Sequence, residues 1–256
     1  LIAISRSLML VALQDIDTVS KYGVVVYAGG DDIAFLSPLK VPVKDQGKEI
    51  KNSAIGLVKL TRRNYSGALP GEERQIRGFI YFKNGIFDLP ALYGRSYSVF
   101  ITHYKDPFYS MWDIASRLEE MKDDAESGEK KRKDFTFVLG GRGMLNLEDA
   151  AILENKIETF EAIEALYDNI GKALSKSFIK DYISAYEEVK ELNRDGINEY
   201  LDKLLDYVLE RNKRGGQMLK LDKLRELEGE RNIDSKLRKV YDLRVEVVKA
   251  YDYLEE

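Results

Sequence analysis

Apolar and polar positions follow two different rhythms along this chain. Over Leu1 to Val19 the apolar side chains Leu8, Val11, Ala12 and Ile16 return at the spacing of one helical face. Lys21-Tyr22-Gly23 breaks that period, and Val24-Val25-Val26-Tyr27 follows as a β-branched, continuously apolar run. Ala28-Gly29-Gly30-Asp31 reads as a turn, and Asp32-Ile33-Ala34-Phe35-Leu36 as a second strand stopped at Ser37-Pro38. Neither strand alternates with polar residues, which predicts a sheet covered on both faces. A polar loop then leads to a helix striped by Ile50, Ala54, Leu57, Val58 and Thr61. Arg77 to Phe82 reads as a strand with a turn at Asn84-Gly85, and Ser96 to His103 as another strand. Pro107 to Ala125 reads as a helix entered through a proline. After a basic loop at Gly128 to Asp134, Phe135 to Leu139 reads as a last strand, closed by Gly140-Gly141-Arg142-Gly143.

The rhythm changes near residue 145. All five prolines and 14 of the 19 glycines precede it. Residues 1–144 carry a net charge of +3 and residues 145–256 one of −7. The second part predicts helices over 147–170, 172–194, 197–212, 217–229 and 234–254. Its apolar stripes are Leu153, Ile157, Phe160 and Ile163, then Phe178, Tyr182, Ala185 and Val189. Asn169, Gly171, Gly196 and Gly215-Gly216 punctuate the helix ends. The expectation is therefore an α+β part over 1–144, with helices on an antiparallel-rich sheet, followed by an all-α helical bundle over 145–256.

Composition removes several chemistries. A 44% hydrophobic content with 11% aromatics suffices for a buried core. No run reaches the roughly 18 apolar residues that a membrane span needs, and Leu8 to Leu13 lacks the small-residue cleavage site of a leader. The chain opens on Leu1 in sequence that already reads as helix interior, so a piece of a longer protein is expected. Zero cysteines exclude disulfides, thiolate zinc sites and cysteine nucleophiles. The single histidine, His103, excludes chemistry that needs two imidazoles, and no Gly-x-Ser-x-Gly elbow accompanies it. The formal charge of −4 predicts no strong non-specific attraction to nucleic acid.

One feature carries chemistry: Gly29-Gly30-Asp31-Asp32, at the turn between the first two strands. Adjacent carboxylates at a tight turn repel each other, and a divalent cation reverses the sign. Mg²⁺ or Mn²⁺ takes oxygen ligands, waters and substrate phosphates. Glycines let a triphosphate approach backbone N–H groups that a Cβ would shield. The alternative is an ordinary hairpin turn, which favours Gly and Asp for conformational reasons. Lys105, projecting from a turn, is a phosphate candidate.

The run Val24-Val25-Val26-Tyr27-Ala28-Gly29-Gly30-Asp31-Asp32-Ile33-Ala34-Phe35-Leu36-Ser37-Pro38 resembles the palm signature of the large subunit of type III CRISPR effector complexes, closest to the Cmr branch. Ile4-Ser5-Arg6-Ser7-Leu8 is similar to that family's helix before the hairpin. Ser96-Tyr97-Ser98-Val99-Phe100-Ile101-Thr102-His103-Tyr104-Lys105-Asp106-Pro107 is similar to its following strand and His-Tyr-Lys turn. The resemblance covers residues 1 to about 140; beyond that it extends to composition and position only.

The resemblance implies a ferredoxin-like nucleotide-cyclase palm that joins ATP into cyclic oligoadenylate when target RNA is bound, in antiviral defence. It implies that Asp31 and Asp32 hold two divalent cations, Mg²⁺ or Mn²⁺, which polarise the α-phosphate and activate the attacking 3′-hydroxyl. Gly29 and Gly30 would line the triphosphate path, with Ser5, Arg6 and Lys105 near the nucleotide. Implied partners are the other effector subunits, with guide RNA and target RNA reached through the complex, in the cytoplasm. The family's palm also carries an acidic residue on a strand before the first helix, which here would lie before Leu1. Where the family has a phosphate-binding lysine, this sequence has Glu126, with Lys122 a turn earlier. The family's nuclease-like domain and cysteine zinc motif are absent, as expected of a C-terminal piece.

Two alternatives stand beside this reading. One is a GGDEF-type cyclic dinucleotide synthase using GTP, against which the fourth motif residue is Asp rather than Glu and Ile33 replaces an aromatic. The other is a non-catalytic assembly or nucleotide-binding module. Elsewhere, His103 is expected to bond locally and Trp112 to join the core with Ala115, Leu118 and Met121. Asp15 and Asp17 are expected to face solvent. Lys130-Lys131-Arg132-Lys133 reads as a solvated loop or an RNA contact. Arg211-Asn212-Lys213-Arg214 reads as the basic end of a helix, with RNA contact as the alternative.

Overall fold

The computed structural model describes residues 2–66, 69, 79–82, 85–88, 94–127, 134–141, 145–189, 197–215, 221–227 and 242–255. Helix α1 (Ile2–Val19) leads into the hairpin of β1 (Val24–Gly29) and β2 (Asp32–Leu36). The buried arc of α1 is Val11, Ala12, Asp15 and Val19, so Ile16 faces outwards rather than joining the expected stripe. The hairpin register runs from Val24 opposite Leu36 to Gly29 opposite Asp32, with an irregularity between Val25 and Tyr27. Its expected double coverage does not occur. Val25, Ile33 and Phe35 pack on Val19, Val43, Ile50 and Leu57, while Val24, Val26, Tyr27 and Leu36 are exposed. The β-branched run satisfies strand propensity on both faces, but only one face meets helices.

The expected polar loop contains a second hairpin, β3 (Val43–Asp45) and β4 (Lys48–Ile50). Gln46 and Gly47 turn it with φ of 47° and 83°, the left-handed pair of a two-residue type I′ loop. Asn52 accepts the Ile55 amide at 3.2 Å and caps α2 (Ser53–Ser66). Gly56 of α2 lies against β3, where an added Cβ would stand 2.8 Å from the Val43 Cβ. Gly56→Ala should therefore destabilise the chain by about 1–3 kcal/mol through overpacking, read as a lower midpoint in urea unfolding.

Strands β5 (Phe79–Phe82) and β6 (Gly85–Asp88) pair antiparallel; Asn84 lies outside the described residues. β7 (Tyr97–Ile101) and β8 (Phe135–Gly140) run parallel, joined by a crossover through α3 (Phe108–Ser127).

The helix expected over 147–170 resolves into three pieces: a 3₁₀ turn at Leu147–Asp149 capped by Asn146, strand β9 (Ala151–Glu154), and α4 (Ile157–Asn169). β9 pairs antiparallel with β8, so the second part is not all-α, and its sheet crosses the compositional divide at 144/145. A short apolar run such as Ala151 to Leu153 suits either state, and the free edge of β8 decides it. Side chains alternate across this sheet. Tyr97, Ile101, Val138, Ala151 and Leu153 enter the main core; Phe100, Phe137, Leu139 and Ile152 face the cluster around Leu118 of α3.

The remaining helices are α5 (Ser177–Val189), α6 (Ile197–Asn212), α7 (Asp222–Arg225) and α8 (Leu243–Glu255). The helix expected at 217–229 is shorter than expected, since Leu221 and Glu226 cap α7 and Leu227 is not helical, while 217–220, 228–229 and 234–241 lie outside the described residues. Phe160, Ile163, Phe178, Tyr182, Leu205 and Leu254 fill the core, with the Phe178 and Tyr182 rings stacked at 5.8 Å. The architecture is mixed α+β. A single ferredoxin-like sheet is not formed among the described residues, because β1–β2 and β7–β8–β9 belong to separate sheets. Among the described residues no helix is long and apolar enough to cross a membrane.

Candidate functional site

Gly29, Gly30, Asp31 and Asp32 form one hairpin end. Gly30 and Asp31 are the two loop residues between Gly29 and Asp32. Gly30 takes φ +65°, the conformation that the first loop position of a type II′ turn requires and that glycine adopts without strain. An added Cβ there would meet nothing within 4 Å, so the backbone is open to approach. β1 packs back along α1. Its six residues cover about 20 Å. Ser5 is exposed; the Arg6 side chain lies outside the described residues.

Asp31 and Asp32 are both exposed, and among the described residues neither is held by a hydrogen bond or an ion pair. That donor set fits a hard divalent cation of the Mg²⁺ class, which one or two carboxylates suffice to hold once water or phosphate oxygens complete the shell. Among the described residues no group of three or more acidic, histidine or cysteine side chains gathers to bind a metal. Two carboxylates are what the hairpin offers.

Behind the hairpin lies a polar cluster that sequence reasoning missed. Asp15 is 0% exposed, not solvent-facing as expected; it pairs with Arg95, itself 7% exposed. Asn64 donates to Asp15 and to Thr18, each at 3.0 Å. Burial pushes the Asp15 carboxyl up, against the pull of Arg95 and Asn64. The Arg95 guanidinium lies 5.6 Å from the Tyr65 ring centre and 5.7 Å from that of Tyr97. Burial opposes its charge, but Tyr97 and Asp15 outweigh that and hold it more firmly protonated than usual. Thr61 Oγ1 donates to the Tyr97 hydroxyl at 2.9 Å, and burial pushes that hydroxyl up to about 12. Arg95 Nη2 is buried without an acceptor among the described residues. Nothing in the spacing of these residues signals their convergence; Asp15 sits at a polar position of α1 whose partner arrives eighty positions later. Asp17 is exposed, as expected, and bonds Lys21 at 2.7 Å.

His103 and Lys105 lie in the turn after β7, on the other sheet. The His103 amide donates to Asp106 at 3.1 Å and its Nδ1 accepts the Lys105 amide at 3.2 Å, the expected local bonding. The Lys105 ammonium sits 5.6 Å from the Tyr104 ring centre. Trp112 is 45% exposed and rests on Phe108, not in the core. The buried arc of α3 is Ile114, Leu118 and Met121, and Trp112 falls outside it. Lys130 to Lys133 lie outside the described residues, as do the side chains of Lys122 and Glu126. Arg214 donates to the Gly171 carbonyl at 3.2 Å and Lys213 meets Glu210 at 3.4 Å, so this basic run closes helix ends.

No family model matches the chain. A search of curated proteins finds the CRISPR system CMR subunit Cmr2 of Saccharolobus solfataricus, 29% identical over 223 residues. The chain is thus similar in sequence to Cmr2. The similarity covers 80% of this chain and 20% of Cmr2, so the chain spans about a fifth of the length of that relative. Among solved structures, a chain from the type III-B Cmr-beta complex bound to cognate target RNA superposes with a TM-score of 0.64 and 19% identity. The match covers 98% of this chain and 26% of the solved one. The fold is thus shared almost end to end with a segment of that larger chain, and the sequence similarity to Cmr2, over 80% of this chain, reaches further than the 1–140 resemblance expected from the motifs.

Proposed function

We propose that this chain is the nucleotidyl-transfer segment of a type III CRISPR effector large subunit, converting ATP to cyclic oligoadenylate when target RNA is bound, in antiviral defence. The observation that carries the reading is the hairpin end itself: Gly30 and Asp31 as an open two-residue loop, with two consecutive carboxylates unpaired among the described residues. Asp31 and Asp32 hold Mg²⁺ or Mn²⁺, which when bound supplies charge neutralisation at the α-phosphate and a more acidic 3′-hydroxyl. Gly29 and Gly30 bring backbone N–H groups to the triphosphate. Ser5 and Arg6 lie near the nucleotide in this reading. The similarity to Cmr2 and the fold of a Cmr-complex chain support placement among effector subunits, with guide and target RNA as partners in the complex.

The presence of only two carboxylates at the hairpin favours a second reading, an assembly or nucleotide-binding module without turnover. The two separate on one experiment. The chain within its whole protein and complex, supplied with ATP, Mg²⁺ and target RNA, should give 3′–5′-linked adenylates resolved by chromatography. GTP should give none. Nucleotide binding without linked product would favour the module, and product from GTP alone would favour the cyclic dinucleotide synthase.

A further inference from the structure

The two faces of the first hairpin differ. Val25, Ile33 and Phe35 turn inwards onto Val19, Val43, Ile50 and Leu57. The other face carries, pair by pair towards the tip, Val24 with Leu36, Tyr27 with Ala34 and Gly29 with Asp32. Val24, Tyr27, Leu36 and Asp32 are all exposed. Asp32 is the first residue of β2, and the two-residue period of a strand puts its side chain on the face of Ala34 and Leu36, away from the core. Tyr27 therefore shares an open face with one of the two candidate cation ligands.

The Tyr27 ring leans towards the tip. A Cβ added at Gly29 would stand 2.7 Å from the Tyr27 hydroxyl oxygen and 3.1 Å from its Cζ. The space that a side chain at position 29 would fill is thus taken by the end of this ring. Residues directly opposite in an antiparallel pair send their Cβ atoms to the same face, about 5 Å apart. Since Asp32 lies opposite Gly29, the Tyr27 hydroxyl stands within about 8 Å of the Asp32 Cβ. A cation on that carboxylate, bonded at about 2 Å to a phosphate oxygen, spans such a gap. The hydroxyl is also free for the purpose. Tyr27 is 55% exposed, and neither it nor Asp32 makes a hydrogen bond among the described residues. A tyrosine has only two side-chain torsions to fix, so holding its O–H on a ligand costs little entropy.

We infer that Tyr27 is a nucleotide-binding residue, its hydroxyl donating to a phosphate oxygen of the cation-bound nucleotide on the open face that it shares with Asp32. The inference rests on the proposed metal-binding role of the hairpin and names the side chain that grips the phosphates there.

The test uses α,β-methylene ATP, whose bridging carbon prevents nucleotidyl transfer. Its binding to the target-RNA-bound complex in Mg²⁺ is measured by equilibrium dialysis for the unchanged protein, Tyr27→Phe, Gly29→Ala and the Asp31→Asn, Asp32→Asn double variant. Mn²⁺ binding without nucleotide is followed beside it by electron paramagnetic resonance. Tyr27→Phe keeps the ring and removes only the hydroxyl. It should weaken binding of the analogue about ten- to hundredfold, the range for a hydrogen bond to a charged group, and leave Mn²⁺ binding unchanged. Gly29→Ala should weaken the analogue as well, because the new Cβ would displace the hydroxyl, which ends an exposed side chain and can give way without unfolding the hairpin. Undiminished binding of the analogue in Tyr27→Phe or Gly29→Ala overturns the inference while leaving the metal site standing. So does a fall in Mn²⁺ affinity in Tyr27→Phe, since the hydroxyl would then act through the carboxylates, and so does an unchanged protein that binds Mn²⁺ but not the analogue. If the unchanged protein binds no Mn²⁺, or the double variant binds Mn²⁺ as it does, the metal-binding reading fails and this inference falls with it.

Discussion

Converting Asp31 and Asp32 together to alanine should abolish formation of linked adenylates from ATP and Mg²⁺ by the target-RNA-bound complex. The expected loss is at least about a thousandfold, because removing even one preorganised charge-stabilising group typically costs about 10²–10³ in rate, and here the cation's anchors go together. Both side chains are exposed and carry no structural bond among the described residues. The folded chain should therefore tolerate the change, and adjacent like charges disappear with it. Thermal unfolding of the variant beside its activity separates loss of chemistry from loss of fold. Full product yield from a folded Asp31→Ala, Asp32→Ala variant would remove the hairpin from the reaction.

The largest stability effect is expected at Arg95→Met. The substitution leaves Asp15 buried without its Arg95 partner and strips Tyr65 and Tyr97 of the charge near their rings. Breaking a buried pair from one side typically costs about 3–5 kcal/mol, whereas replacing both partners with apolar or neutral groups is often close to neutral. Urea unfolding should thus show a large loss for Arg95→Met and a smaller one for the Asp15→Asn, Arg95→Met double variant. Equal losses in both would mean that Arg95 stabilises through packing alone. The unpartnered Nη2 makes the direction of the double variant informative, since it removes a buried donor that has no acceptor among the described residues.

What was legible in the sequence was local. Val24 to Leu36 carried its own turn chemistry, and the hairpin formed with Gly30 where a left-handed residue was needed. Helices α2 and α5 followed from apolar spacing, although Ile50, expected on the α2 stripe, belongs to β4. The misreadings share one cause: partners that arrive from distant sequence. β9 became a strand because β8 had an edge to fill. Asp15 looked like a surface position because its cation lies eighty residues on. Trp112 looked like core because an apolar residue at helical spacing says nothing about which arc meets the sheet. The Gln46-Gly47 turn lacked the Asn-Gly or Asp-Gly signal that marks such loops. At the candidate site the four hairpin residues could be read directly, while the buried Asp15–Arg95 pair elsewhere could not.

The pairing of β9 with β8 has a practical bearing on how this polypeptide can be divided. Composition invites a cut near residue 145, yet a fragment ending there would display the naked rim of β8 from Phe135 to Val138, where Ala151 to Glu154 normally bond. An unprotected apolar rim of that kind invites sticking between copies. Shortened versions of the protein stay well behaved only if Ala151 to Glu154 travel with the first half.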